Sequence, residues 1–227
     1  MVSLGSIART QLIWPPDMRS NPRQFRRMVN IAPATRSVHG FPTGRRNVSG
    51  GFRLALTGTP GTGKSTLAKA LCDVGFGVVT VESLAEQHGL LGEVDPSDGA
   101  WVIDTGALHD VLVTTWESPP RGPSVVDGHL SHHLPCDAVA VLRCSPDILE
   151  ARLTDRGYSE GKVRSNYEWE LLGGAWNERE GDSPWREFDT SECSIGSVVA
   201  SLGDWIADGF KPNSPGSLID WVASMEE

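Results

Sequence analysis

The chain has 227 residues, 39% of them hydrophobic and 22% charged, enough for one domain with its own core and no need of disulfide or metal staples. Its longest apolar runs, such as SVVD (124–127) and AVAVL (138–142), fall far short of the roughly 20 residues that span a bilayer, which excludes a transmembrane helix. The net charge of −9 divides into +7 over residues 1–50 and −16 over residues 51–227, so generic nucleic-acid affinity belongs to the N-terminal arm rather than to the field of the body.

Residues 1–50 hold eight arginines, five prolines and no sustained apolar period, so little offsets the entropy of ordering them. This arm is expected to lack a fold of its own; its Arg-rich, acid-poor make-up also suits a transit peptide or an RNA-touching arm. Residues 51–227 are expected to form the folded domain. FRLALT (52–57) reads as a strand, followed by a helix from Lys64 to about Val74, a strand GVVTV (77–81) and a helical stretch from Ser83 to His88. Gly89 to Gly99, rich in Gly, Asp and Pro, reads as a loop. WVID (101–104) reads as a strand leading into the helix TGALHDVLVTTW, SVVD as a short buried strand and DAVAVLR (137–143) as the longest apolar strand. Pro146 marks the first turn of the next helix, and a polar helix-prone stretch runs from Ser159 to about Gly181. WREFDT (185–190) and IGSVVASLGDWIADG (195–209) close the pattern as a strand and a helix. Strands alternating with helices imply an α/β fold of three layers, a parallel sheet flanked by helices. Trp169 and Trp176, seven residues apart on one predicted helical face, are assigned to packing with Trp205 and Trp221. Cys72, Cys136, Cys144 and Cys193 form no CxxC pair and read as the reduced thiols of a cytoplasmic protein.

The chemistry is announced by Gly58-Thr-Pro-Gly-Thr-Gly63-Lys64-Ser65, which fits G-x-x-x-x-G-K-[ST] between a strand and a helix. In such a P-loop the backbone N–H groups of the Gly-rich turn and the helix N-terminus wrap a phosphate, the lysine neutralises β and γ oxygens, and the hydroxyl ligates Mg²⁺. A phosphate-bound Mg²⁺ also needs a carboxylate at a neighbouring strand end, for which Asp104 and Asp127 compete. Asp127 is preferred because Gly128-His129-Leu130-Ser131-His132 follows it at once, and Asp104 suits a helix N-cap. Because Mg²⁺ in P-loop chemistry takes oxygen ligands, His129, His132 and His133 are read as hydrogen-bonding and packing groups rather than a transition-metal cluster.

At these residues the sequence resembles the adenylate kinase isoenzyme 6 family of small P-loop nucleotide kinases and ribosome-assembly ATPases, above all its archaeal members. The likeness rests on TGTPGTGKST (57–66), VVDGHLSHHLPCDAVAVLRCSP (125–146) and LEARLTDRGYSEGKVRSN (149–166), and runs from about Phe52 to Trp221. It implies the fold of a nucleoside monophosphate kinase, with ATP and Mg²⁺ as cofactors, AMP as acceptor and a monomeric state. It also implies ATP-phosphate contacts from Gly58, Gly61, Thr62, Gly63, Lys64, Ser65 and Thr66, with Arg156 of RGY reaching ATP from a short lid at about 155–166. Arg152, one helical turn earlier, is a second candidate lid cation. Asp127 and His129 match the family's D-x-H pair, with Ser65 and Asp127 at the metal and Lys64, Asp127, His129, Arg152 and Arg156 as the catalytic set. The segment at about 81–103 matches the region that closes over the monophosphate. Here the chain departs from the family, reading Leu84-Ala85-Glu86-Gln87-His88 where family members often carry a basic residue just after the leucine, and no Lys or Arg occurs between Lys69 and Arg121.

Two functions follow from the resemblance: transfer of the γ-phosphoryl of ATP to AMP, and ATP hydrolysis in maturation of the small ribosomal subunit, with a small-subunit ribosomal protein and a pre-ribosomal particle as partners. A P-loop kinase for a small metabolite is the third reading, which the acid-rich acceptor segment allows.

Overall fold

The computed structural model describes residues 50–94, 100–211 and 219–225. The arm expected to lack a fold lies outside them. Five parallel strands form the main sheet in the order β2-β5-β1-β6-β7: β1 (Arg53–Gly58), β2 (Gly77–Thr80), β5 (Ser124–Asp127), β6 (Ala138–Arg143) and β7 (Trp185–Asp189). Helices cover both faces, as a parallel sheet requires.

The alternation of side chains along each strand divides the core in two. Leu54, Leu56, Ala138, Ala140 and Leu142 face one layer, where α1 (Lys64–Asp73) and α7 (Ile195–Ala207) pack with Trp205 at its centre. Ala55, Val139 and Val141 face the other, against α2 (Val81–Gln87), α3 (Thr105–Thr115) and Trp185. A third, smaller cluster of Cys144, Leu149, Leu153 and Val163 joins α4 (Pro146–Asp155) to α5 (Glu160–Leu171).

Two expectations are corrected. Within the stretch read as a loop, Leu91–Val94 forms β3, which pairs antiparallel with β4 (Trp101–Ile103); residues 95–99 lie outside the described residues. WVI is therefore one arm of a separate two-stranded ribbon rather than a strand of the parallel sheet. Its apolar residues cover the edge of the second core layer through Ile103, while Val102 stays exposed, a pattern that a short sequence run shares with a sheet strand. The helix-prone stretch after Ser159 is also broken. Gly173 takes a left-handed conformation (φ 66°) between α5 and α6 (Gly174–Asn177), so Trp169 and Trp176 do not share a helix. The last described helix, α8 (Trp221–Ser224), is a single turn capped by Asp220.

Candidate active site

The ends of β1 and β5 and the start of α1 meet at a cleft of about 160 Å³. Gly58 ends β1 with φ 135°, and a Cβ there would lie 2.3 Å from the Leu142 carbonyl oxygen of β6, so only glycine lets the loop leave the sheet at this point. Gly63 takes φ 94° as the N-cap of α1, which opens the helix directly behind the loop. Thr62 turns inward, fully buried, with its hydroxyl donating to the Thr59 carbonyl at 2.8 Å.

Lys64 Nζ donates to the carbonyls of Gly58 (2.7 Å) and Thr59 (3.0 Å). Burial pushes its ammonium down to about 8, against the upward pull of the Asp127 and Glu170 carboxylates; Arg156 adds to the depression. Ser65 Oγ donates to Asp127 Oδ2 at 3.1 Å. Burial raises the Asp127 carboxyl above its ordinary value, and Lys64 and Ser65 partly restore its charge. His129 Nδ1 donates to the Gly58 carbonyl at 3.1 Å, which fixes its tautomer and leaves Nε2 as the acceptor. Burial first, and Lys64 next, push this imidazole down to about 4, so it is neutral at pH 7.

Gly61, Gly63, Lys64, Ser65, Thr66, Asp127, His129 and Arg156 all line the one cleft. The Ser65 hydroxyl and Asp127 carboxylate are hard oxygen donors, and their separation matches the about 3 Å between adjacent ligands of an octahedral ion with roughly 2.1 Å bonds, so this pair fits Mg²⁺. Asp104 is elsewhere employed: its carboxylate accepts from the Ala107 amide at 2.9 Å as the N-cap of α3. Arg156 caps α4, and Gly157 (φ 74°) stops the helix with bonds from its own N–H to Thr154 O and from Tyr158 N–H to Leu153 O. That turn sets Arg156 and Tyr158 at the rim of the cleft.

Arg152 does not join them. Its guanidinium reaches the Thr190 and Ser191 carbonyls at 3.0 and 3.1 Å, Cys144 Sγ at 3.2 Å and, at 3.4 Å, the Gly61 carbonyl. It straps the back of the phosphate loop to the end of β7, because a side chain from the middle of α4 points into the fold rather than over its mouth.

Sequence reasoning missed Glu170. This carboxylate is 2% exposed, and its Oε1 accepts from Arg143 Nε (2.7 Å), the Cys144 amide (3.1 Å) and Trp221 Nε1 (3.2 Å). Its Oε2 accepts from the Thr59 hydroxyl of the loop. Arg143, 3% exposed, is also paired with Glu187; burial works to discharge the guanidinium, but the two carboxylates hold it above its ordinary value. No sequence signal marks Glu170 among the acids of a polar helix, because its partners come from three distant segments.

Comparisons with known proteins identify the family. Residues 54–173 match the family described as an AAA domain. The chain is 40% identical over 178 residues to a protein of Archaeoglobus fulgidus named "Putative adenylate kinase", covering 77% of this chain and 94% of that protein. A protein of the same name from Methanocaldococcus jannaschii is 33% identical over 75% of this chain and 93% of its own length. One from Natronomonas pharaonis is 34% identical over 74% and 96%. Among solved structures, the chain is similar to a shikimate kinase from Bacteroides thetaiotaomicron, with a TM-score of 0.42 at 19% identity over 68% of this chain and 98% of that one. With the phosphate-binding loop, the strand-end carboxylate and this extent of likeness together, the chain belongs to the family of these archaeal adenylate kinase relatives.

Proposed function

We propose that the protein is a P-loop nucleotide kinase that moves the γ-phosphoryl of Mg-ATP onto AMP, giving two ADP. The observation that carries this reading is the convergence of Lys64, the Ser65–Asp127 pair, His129 and Arg156 on one cleft. Phosphoryl transfer asks the protein mainly for positioning and for cations placed where negative charge is spread over the transferred group. Lys64 supplies one such cation from inside the loop, and a phosphate beside it raises its ammonium pKa and keeps it charged. Arg156 supplies a second from the exposed rim, where the turn at Gly157 gives the short lid a place to bend. Ser65 and Asp127 would hold Mg²⁺, which neutralises the β and γ oxygens when bound. Neutral His129, with Nε2 free to accept, would orient the attacking oxygen. The segment at about 81–103 would close over the acceptor, and Thr80, Val81, Glu82 and Ile103 form its side of the cleft.

One observation favours a second reading. The acceptor side carries the carboxylate of Glu82 and no Lys or Arg lies between Lys69 and Arg121, a poor welcome for a dianionic monophosphate. In that reading the site hydrolyses ATP, and the cycle serves assembly of the small ribosomal subunit with a ribosomal protein as partner. The deciding experiment is turnover by the full chain with Mg-ATP, with and without AMP, resolving ATP, ADP, AMP and phosphate. Consumption of AMP with two ADP formed per AMP supports the kinase; phosphate release indifferent to AMP refutes it and supports the ATPase. Lys64→Ala lowers either activity by at least about a hundredfold.

A further inference from the structure

Beside Thr57, one residue before the phosphate loop begins, the 3₁₀ turn Ser131–His133 places two imidazoles against a carboxylate from beyond α6. His132 Nε2 lies 3.0 Å from Glu178 Oε2, and His133 Nε2 lies 3.6 Å from the same oxygen. Ligand atoms on a tetrahedral ion with bonds of roughly 2.0 Å stand about 3.3 Å apart, so both separations bracket the spacing that Zn²⁺ needs. The three donor atoms all fall within 4.8 Å of one another.

The hydrogen bonds around His132 sharpen the point. The Thr57 hydroxyl has one proton, and the His129 carbonyl at 2.7 Å can only accept it. His132 Nδ1, 2.8 Å from the Thr57 oxygen, must then donate. The neutral ring is left with a lone pair on Nε2 facing an acceptor carboxylate at hydrogen-bond distance. Such a pair of acceptors calls for a cation between them. A proton would satisfy two of these atoms; a metal ion satisfies His133 Nε2 as well. The Thr57 contact is also the kind of support that orients a metal-binding imidazole by its other nitrogen. His132 is fully buried and packs edge-on against Trp185 at 5.7 Å, and the His133 carbonyl is held by His109 Nδ1 at 2.8 Å, so both ligands are fixed before any ion arrives. Glu178 and His133 are 37% and 31% exposed, which gives an entry path and room for water as a fourth ligand.

We propose that His132, His133 and Glu178 form a binding site for a zinc-class divalent cation, separate from the magnesium position at Ser65 and Asp127. Two imidazoles and one carboxylate are the donor set of borderline transition metals rather than of Mg²⁺ or Ca²⁺. The ion clips the turn that follows β5 to the end of α6. Through Thr57, the residue before Gly58, the same clip braces the strand from which the phosphate loop departs.

The test uses the untagged full chain, stripped with a chelator and titrated with Zn²⁺ in competition with a chromogenic chelator, alongside Co²⁺ read by its visible absorption. Expected are one ion per chain, an intense four-coordinate Co²⁺ spectrum and a melting temperature that rises with Zn²⁺. Glu178→Gln and His133→Ala each weaken binding by more than about a hundredfold, beyond what loss of a supporting hydrogen bond costs, and Thr57→Val weakens it by about ten- to a hundredfold. Circular dichroism of each stripped variant confirms its fold; His133 is partly exposed, so His133→Ala keeps the test open should a more buried variant fail to fold. Absence of stoichiometric Zn²⁺ uptake, binding that survives the double variant Glu178→Gln/His133→Ala, or nitrogen NMR showing His132 doubly protonated in excess Zn²⁺ overturns the proposal.

Discussion

Replacing Glu170 by alanine tests how the phosphate loop is held. The change removes the acceptor of four hydrogen bonds at once, from Thr59, Arg143, the Cys144 amide and Trp221. Arg143 stays 3% exposed with Glu187 as its remaining carboxylate, and breaking a buried pair by removing one partner costs about 3–5 kcal/mol. Because Glu187 survives, and Arg143 Nη2 still reaches the residue-170 backbone carbonyl at 2.9 Å, the lower end of about 3 kcal/mol is expected. For a chain of this size that is a fall in melting temperature of about 6–12 °C. Urea denaturation at pH 7 measures the loss directly. The Thr59 carbonyl accepts from Lys64 and from the Thr62 amide, so the folded variant should also bind ATP more weakly. Arg143→Met and Glu187→Gln added to Glu170→Leu should recover part of the stability, since the three paired charges then leave the interior together. A loss below about 1 kcal/mol for Glu170→Ala, or no recovery in the triple variant, refutes the view that an uncompensated Arg143 sets the cost.

Asp127→Asn should lower Mg²⁺-dependent turnover by about a hundredfold or more, while Asp104→Asn, which keeps an N-cap, should leave kcat unchanged and cost well under about 1 kcal/mol; steady-state kinetics giving the opposite order would show that the wrong strand end was assigned to the metal. His129 is held at about 4 in the fold against 6.5 when unfolded, so the unfolded chain binds the extra proton. Its contribution is complete above pH 6.5 and is lost as pH falls toward 4, on the order of 3 kcal/mol, which urea midpoints across that range measure and which His129→Gln should flatten. Glu86→Arg, a change at an exposed position of α2, adds a cation to the acceptor segment and should lower the KM for AMP several-fold with little effect on that for ATP; unchanged kinetics would remove Glu86 from the acceptor region.

The short motifs carried most of the fold and of the phosphate site because their requirements are local. The strand FRLALT, the glycines of the loop and the helix from Lys64 are contiguous, so their spacing alone implies a nest for phosphate, and SVVD announces a carboxylate at a strand end. Asp127 is preferred over Asp104 already on the polar run that follows it; strand order adds a physical reason, since β5 lies beside β1 whereas β4 belongs to a ribbon outside the sheet. Helical spacing also could not tell Arg152 from Arg156. One turn apart on α4, the first points behind the loop and the second ends the helix at the rim.

The sequence by itself therefore determined the parallel α/β architecture, the phosphate-binding loop and the residue types around it, all of which rest on neighbours within a few positions. Only the tertiary structure decided which charges are buried and with whom. Glu170 meets Thr59 from 111 positions away, and Glu178 meets His132 from 46. Such pairings follow from how the chain returns upon itself, and the energy that makes the buried Glu170 carboxylate a brace exists only once water has been excluded around it.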